Sequence, residues 1–283
     1  MNSNNRKVAL VTGANGGLGR VISHELIKSG CRIILSCRPG SEGLKFCCDL
    51  VKKYGEETVS ILEMDLSSLD SVRKAAGILK EREKRLDILI NNAGMLGWKP
   101  EITAEGYEKH NVVNCIGPVM FTWLIKPLLG KGSRVINTVS VMLRRGRIPV
   151  YFPMPPEKFN RFERYACSKL AFTLCSIRMA TLWKEEGISV NMVDPGIVNT
   201  PIIKLHKWVD PLADVFFRPV IRQAPRGAST TVFLALDHSM EGLSGKLFKD
   251  KKPVKLPSGL RALEALDSVW SFFITLNTYG NKQ

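Results

Sequence analysis

The sequence contains no run of about 18 uninterrupted apolar residues, which excludes an ordinary membrane-spanning helix. Its opening, Met-Asn-Ser-Asn-Asn-Arg-Lys, has no apolar core of the kind an export signal needs. A cytoplasmic protein is therefore expected, with at most peripheral contact to an internal membrane. Paired or metal-spaced cysteines are also missing. Cys31, Cys37, Cys47, Cys48, Cys115, Cys167 and Cys175 are odd in number and follow no ligand spacing, so they read as reduced thiols and no metal site is expected. Acidic residues are scarce, 26 against 41 basic ones, which leaves a net charge of +15 over 283 residues. Such an excess suits nucleic acid, an anionic membrane surface or an anionic small ligand. No nucleic-acid-binding motif is present, so a phosphate-rich cofactor and a lipid surface are the partners left. Apolar residues make up 45%, enough for a sizeable core. No linker or break in composition divides the chain, and one domain over residues 1–283 is expected.

The strongest local signal lies near the start. Val8, Ala9, Leu10 and Val11 form a short apolar run, as a strand buried on both faces would. Gly13, Gly16, Gly17 and Gly19 then crowd a turn, and an amphipathic helix follows over 18–29. Glycines between a buried strand and a helix allow a sharp turn and close approach of a ligand. The free N–H groups at the helix start can hold a phosphate. The same alternation continues with strands at 32–37, 58–64, 86–90, 134–139 and 189–193, and a last short one at 245–248. Helices fall between them at up to 54, 67–84, 114–129, 162–185 and 226–237, with a terminal one at 262–275. The rhythm predicts an α/β fold: a doubly wound Rossmann domain whose seven-stranded, mainly parallel sheet has helices on both faces. Residues 200–223 mix apolar, aromatic and basic side chains and read as a helical flap over the substrate.

Chemistry concentrates where strands end. Ser140 follows the fifth strand, and Pro195-Gly196 follows the sixth. Tyr165 and Lys169, four residues apart on a helix, share a face. A free tyrosine has a pKa near ~10, too high for good acid–base work at neutral pH. A neighbouring ammonium favours the phenolate, so Lys169 is expected to lower the Tyr165 pKa. Ser140 can hydrogen-bond a carbonyl oxygen and support charge developing there.

Taken together, these motifs resemble the short-chain dehydrogenase/reductase family over nearly the whole chain. Thr12-Gly13-Ala14-Asn15-Gly16-Gly17-Leu18-Gly19 is similar to that family's cofactor turn, and Asn91-Asn92-Ala93-Gly94 to its signature after the fourth strand. Asn114, Ser140, Tyr165 and Lys169 match its catalytic group, and Pro195-Gly196 the loop over the nicotinamide. Ser36-Cys37-Arg38, Gly146-Arg147-Ile148, Glu157-Lys158-Phe159, the stretch from Tyr165 to Ala171 and the stretch from Leu243 to Phe248 narrow the resemblance to the retinol-dehydrogenase-like branch. The chain departs from that branch in starting at the cofactor strand and in carrying Asp194-Pro195-Gly196 where His-Pro-Gly is frequent. The resemblance implies hydride transfer between a nicotinamide and a substrate carbonyl, with Tyr165 giving its proton to the oxygen and Ser140 orienting it. Lys169 would hold the nicotinamide ribose, and Asn114 would position a water that relays protons. The cofactor set implied is Gly13, Asn15, Gly17, Leu18, Gly19, Arg38, Asp65, Leu66, Asn92, Ala93, Gly94, Tyr165, Lys169, Pro195, Gly196, Ile197 and Thr200. Asp65 is alternatively a cap for the helix that follows it.

Cofactor choice follows from charge. A site for NAD places a carboxylate near the end of the second strand, about 20 residues past the turn. Here Arg38 stands at that position and no acid follows until Glu42. Arginine matches a phosphate with paired donors, so NADP(H) is expected, with Asn15 and Arg20 as helpers. Trp208, Val209, Leu212, Phe216 and Phe217 in the flap suit a large apolar substrate of retinoid, steroid or lipid-aldehyde type. A broad-range carbonyl reductase of small xenobiotics is the alternative. A non-catalytic NADP sensor is disfavoured by the intact proton relay. The resemblance also implies a homodimer formed through the two long helices around Ile116 and Phe172.

Overall fold

The computed structural model describes residues 6–40, 42–149, 152–155, 157–196, 223–256 and 263–279. Its strands are β1 (Val8–Thr12), β2 (Arg32–Cys37), β3 (Val59–Glu63), β4 (Ile88–Asn91), β5 (Arg134–Thr138), β6 (Ser189–Val193), β7 (Leu247–Lys249) and β8 (Lys252–Val254). Its helices are α1 (Gly17–Lys28), α2 (Glu42–Tyr54), α3 (Leu69–Arg82), α4 (Lys109–Asn111), α5 (Gly117–Leu124), α6 (Arg161–Leu182), α7 (Ala224–Leu236) and α8 (Leu263–Tyr279). All eight strands form one sheet in the order β3-β2-β1-β4-β5-β6-β7-β8, parallel except for the β7–β8 pair.

Every residue of β1 is buried, and alternate side chains enter opposite cores. Val8 and Leu10 join the core under α3, α5, α6 and α8, while Ala9 and Val11 join the one under α1, α2 and α7. β1 pairs with β2 on one side and β4 on the other, so the direction of winding reverses at its carboxyl end. That reversal opens a crevice where ligands of such sheets bind. Across β4 and β5, Asn91 donates to Asn137 Oδ1 at 2.8 Å and to Thr122 Oγ1 at 2.9 Å. Asn137 in turn donates to Ser176 Oγ at 2.8 Å. This buried polar ladder fixes α5 and α6 to the sheet.

The sheet has eight strands, not seven. The extra strand arises because Asp250 and Lys251 both take left-handed conformations (φ 51° and 61°), which closes a two-residue hairpin. Neither residue is glycine, and Pro253 lies within β8, so the sequence carries little sign of it. The expected helix at 114–129 is also divided differently. Helical structure begins at Lys109, widens into a π turn over Val112–Ile116, and ends as α-helix at Leu124. Pro127 sits in the short 3-10 turn Lys126–Leu128 that follows. Ile116 and Phe172, about which the pairing helices were expected, are both buried in the core. The expected flap lies outside the described residues, with its aromatic set from Trp208 to Phe217, except for Gln223 at its end. Among the described residues, no helix is long and apolar enough to cross a membrane, and no cluster of side chains could hold a metal ion.

The terminal helix α8 joins the core through Val269, Trp270 and Phe273. Trp270 and Phe273 meet the Trp123 ring edge-on at 5.5 and 5.9 Å, and Trp123 stacks on Trp183 at 5.9 Å. Phe272 reaches the other way, to Tyr107 and Phe152. Trp270→Ala is expected to lower the unfolding free energy by about 3–5 kcal/mol, as for other buried large aromatics. Urea denaturation measures the loss. A change under about 1 kcal/mol would show that α8 adds little to the core.

Candidate active site

β1 ends at Thr12, and the chain turns at once. Gly13 has φ +62°, and a Cβ there would lie 2.9 Å from the Ala93 Cα. At Gly19 a Cβ would lie 2.1 Å from the Gly13 carbonyl oxygen. Only glycine allows α1 to press so closely on the turn. Gly16, the cap residue of α1, offers no side-chain bond to the first turn, which also holds no acidic side chain. The positive end of the helix is thus left for an anion. Gly17 is the first residue of α1, and Leu18 packs against the apolar core behind it.

The loop after β4 closes the turn from the other side. Thr12 Oγ1 accepts from the backbone N–H of Asn92 and of Ala93, both at 3.1 Å. The Asn92 amide donates to the carbonyls of Thr12 at 3.1 Å and Gly13 at 3.3 Å. Asn92 therefore braces the turn with its side chain. Asn15 lies beneath α2, where a Cβ on Gly43 would come 1.9 Å from its Nδ2. Arg20 donates to the Asn15 carbonyl at 2.9 Å and sets its guanidinium 4.4 Å from the Phe46 ring centre. Arg20, one of the two expected helpers of the phosphate, is thus engaged within the protein. Arg38 is exposed just past the end of β2. Asp65 Oδ1 accepts from the Ser67 N–H at 2.8 Å and its hydroxyl at 2.7 Å, which forms the turn before α3. The cap of α3 itself is Ser68. Leu66 is buried in the core. Pro195 and Gly196 follow β6, with the Gly196 N–H bound to Asp194 Oδ1 at 3.0 Å. Ile197 and Thr200 lie outside the described residues.

The four residues expected to carry the chemistry come from three parts of the fold. Ser140 follows β5 and Asn114 sits in the π turn, while Tyr165 and Lys169 come from α6. Single π turns inside α-helices often mark functional positions. Here the turn sets the Asn114 amide between two strands of chain. Asn114 Oδ1 accepts from the Met95 N–H at 2.8 Å, while its Nδ2 donates to the Met95 carbonyl and to Ser168 Oγ, both at 3.0 Å. Ser168 Oγ donates to the Tyr165 carbonyl at 2.8 Å. Gly94 brings the β4 loop against the same group. A Cβ at that position would lie 3.3 Å from Asn114 Oδ1 and 3.4 Å from Lys169 Nζ.

Lys169 is 3% exposed and donates to the Thr138 carbonyl at 2.9 Å. Burial disfavours its charge and brings its pKa down to about 8. Tyr165 behaves opposite to the expectation from its spacing to Lys169. Burial of its hydroxyl pushes the pKa up to about 12, a hydrogen bond with Ser140 pulls the other way, and the Asp194 carboxylate adds to the rise. Lys169 does not reverse this, because its ammonium is spent on the Thr138 carbonyl and lies 5.8 Å from the Tyr165 ring centre. The arrangement keeps a protonated phenol beside a hydroxyl, with a weakly held ammonium proton one helical turn away.

Known proteins resemble this chain in sequence and fold. The family model for short chain dehydrogenases matches residues 7–208. The chain belongs to the short-chain dehydrogenase family. Within it, the chain is of the retinol-dehydrogenase-like branch. It is 32% identical over 268 residues to human retinol dehydrogenase 12, with 94% of this chain and 84% of that one covered. It is 34% identical over 250 residues to human retinol dehydrogenase 11, with 86% and 77% covered. Among solved structures, a short chain dehydrogenase from Burkholderia cenocepacia in complex with NADP superimposes with a TM-score of 0.70 at 22% identity, covering 86% of this chain and 95% of that one. As a short-chain dehydrogenase the protein is an oxidoreductase that works with a nicotinamide cofactor.

Sequence reading passed over several residues that this short-chain dehydrogenase uses to build its site. Thr12 and Ser168 stand inside the recognised motifs but were given no role, and only the fold shows what their hydroxyls join. Gly43 carries no signal until α2 is seen against Asn15. Gly19→Ala is expected to displace α1 from the turn and weaken binding of a nicotinamide dinucleotide by about tenfold or more, roughly 1.4 kcal/mol. Calorimetric titration reads this directly, and wild-type affinity in the variant would remove the turn from the cofactor site.

Proposed function

We propose that the protein is an NADP(H)-dependent oxidoreductase acting on a hydrophobic carbonyl or alcohol, of retinoid, steroid or lipid-aldehyde type. The observation that carries this is the placement of the buried Tyr165 hydroxyl beside Ser140, with the buried Lys169, bound to the Thr138 carbonyl, one turn further along α6. The glycine turn suits the dinucleotide, since Cβ atoms at Gly13 and Gly19 would fill the space it needs and the start of α1 is open to a phosphate. Gly13, Gly17, Gly19 and Leu18 hold the pyrophosphate in this reading, with Asn15 shaping the turn. Asp65 and Leu66 flank the adenine. Asn92, Ala93 and Gly94 line the ribose side. Pro195 and Gly196 would cover the nicotinamide, and the family resemblance assigns Ile197 and Thr200, outside the described residues, to the same ligand. That ring, when bound, gives or takes the hydride.

Tyr165 supplies the proton to the carbonyl oxygen in reduction and removes it from the hydroxyl in oxidation. Ser140 holds the same oxygen and supports its developing charge. Lys169 keeps a positive charge near the ribose and the phenol, and Asn114 orders the path by which the proton is replaced. Hydrophobic substrates are favoured because the relatives named above are retinol dehydrogenases. Arg38 favours the 2′-phosphate of NADP, and several solved relatives of the fold were captured with NADP or NADPH, among them a carbonyl reductase from chicken fatty liver.

Tyr165→Phe is expected to lower kcat for NADPH oxidation with an aldehyde by about 100-fold or more, the usual scale of general acid catalysis. Unchanged turnover with every aldehyde tried would refute the assignment. The pH dependence has a definite sign. Reduction needs the Tyr165 proton, held up to about 12, and the Lys169 charge, lost as pH rises through about 8. The reduction rate should therefore fall on the alkaline side of 8, and a rate that climbs there contradicts this role for Lys169. Arg38→Asp should raise the KM for NADPH and improve use of NADH. An unaltered ratio of the two kcat/KM values would sink the cofactor argument.

A further inference from the structure

Glu108 and His110 are each 1% exposed and lie beside the site, yet the reading above uses neither. His110 Nε2 accepts the Gly97 N–H at 2.9 Å, so that nitrogen carries no proton. The ring proton therefore sits on Nδ1 and is donated to Glu108 Oε1 at 2.6 Å. The same carboxylate accepts from the backbone N–H of His110 at 3.1 Å and of Asn111 at 3.2 Å. A helix start needs only a short polar side chain as its cap. Here the cap is a buried carboxylate that also orients an imidazole, and the imidazole reaches across to another loop. Burying a charge is costly unless its bonds are complete, so a complete set held at this place calls for a reason.

The loop it reaches is the one that holds Asn114. Three neighbouring residues of that loop are each fixed by a different element. Met95 exchanges two hydrogen bonds with the Asn114 amide. Arg161, at the start of α6, donates to the Leu96 carbonyl at 3.2 Å and stacks its guanidinium 3.5 Å from the Trp98 ring centre. Gly97 is bound by His110. From there a continuous chain of bonds runs through Asn114 and Ser168 to the Tyr165 backbone. We propose that Glu108 and His110 are a positioning pair: the carboxylate fixes the imidazole, the imidazole fixes the backbone at 95–97, and that backbone holds the Asn114 amide in register with α6. The catalytic consequence rests on the oxidoreductase reading above, while the mechanical one does not.

Two substitutions at His110 in the full chain separate the possibilities. His110→Phe keeps a ring of similar size and removes both side-chain bonds. His110→Gln keeps one donor and one acceptor. Amide hydrogen exchange at Met95 and Gly97 is measured without substrate. kcat and KM are then measured with NADPH and an aldehyde that the wild type reduces. His110→Phe should speed exchange at both amides and lower kcat about tenfold or more, the scale of a small misplacement at a reacting centre, with the KM for NADPH changed less than about threefold. His110→Gln should stay close to wild type in both measurements. Unchanged exchange in His110→Phe, or equal loss of kcat in both variants, overturns the proposal. If the phenylalanine variant does not fold, Glu108→Gln is read the same way, since its amide cannot accept from both His110 and Asn111 as the carboxylate does. A wild type that reduces no carbonyl compound would defeat the oxidoreductase reading, and the exchange comparison would still decide this one.

Discussion

The ammonium of Lys169 lies inside the protein at the end of β5, and among the described residues it has no carboxylate within ion-pair distance. It is held by the carbonyl of Thr138, and burial moves its proton affinity down toward physiological pH. Much of the architecture around it serves this one group. β5 must present the Thr138 carbonyl, so the Asn91–Asn137–Ser176 ladder that fixes β4, β5 and α6 is indirectly a support for the lysine. Gly94 passes close to the same group, since a Cβ there would sit tightly against Asn114 Oδ1 and in contact with Lys169 Nζ. The cost of the arrangement has a sign. The unfolded chain binds a proton at this lysine over the range from about 8 to the ordinary value of 10.5, and the folded chain does not, so its contribution to stability increases with pH across that window.

Burial acts on Tyr165 in the opposite sense, and the two effects belong together. Desolvation disfavours whichever form is charged, so one environment lowers the lysine and raises the tyrosine. The pair is thereby set as a neutral phenol beside a readily lost ammonium proton. The spacing of Tyr165 and Lys169 showed that they share a helix face, but a spacing carries no information about depth. The expectation that the lysine would lower the tyrosine failed for that reason.

Other elements divide along the same line. The glycine turn, the βαβ order and the position of β1 at the reversal of the sheet were legible, because buried strands and close backbone contacts leave few residue choices. β8 was not, because Asp250 and Lys251 adopt a conformation that their side chains disfavour and the fold imposes. Arg20 read as a phosphate ligand from its charge, while Phe46, on a helix 26 positions further along the chain, decides where its guanidinium rests. Contacts made between elements distant in sequence account for each of these differences.

The last helix bears on how copies of the chain can meet. α8 lays Trp270 and Phe273 against Trp123 at the end of α5, and Trp123 stacks on Trp183 at the end of α6. That end of the two helices is already clothed by the chain's own terminus. Two molecules joining there would have to peel α8 away and expose four large aromatic rings, so self-association at this edge would compete with the packing of α8 on its own chain.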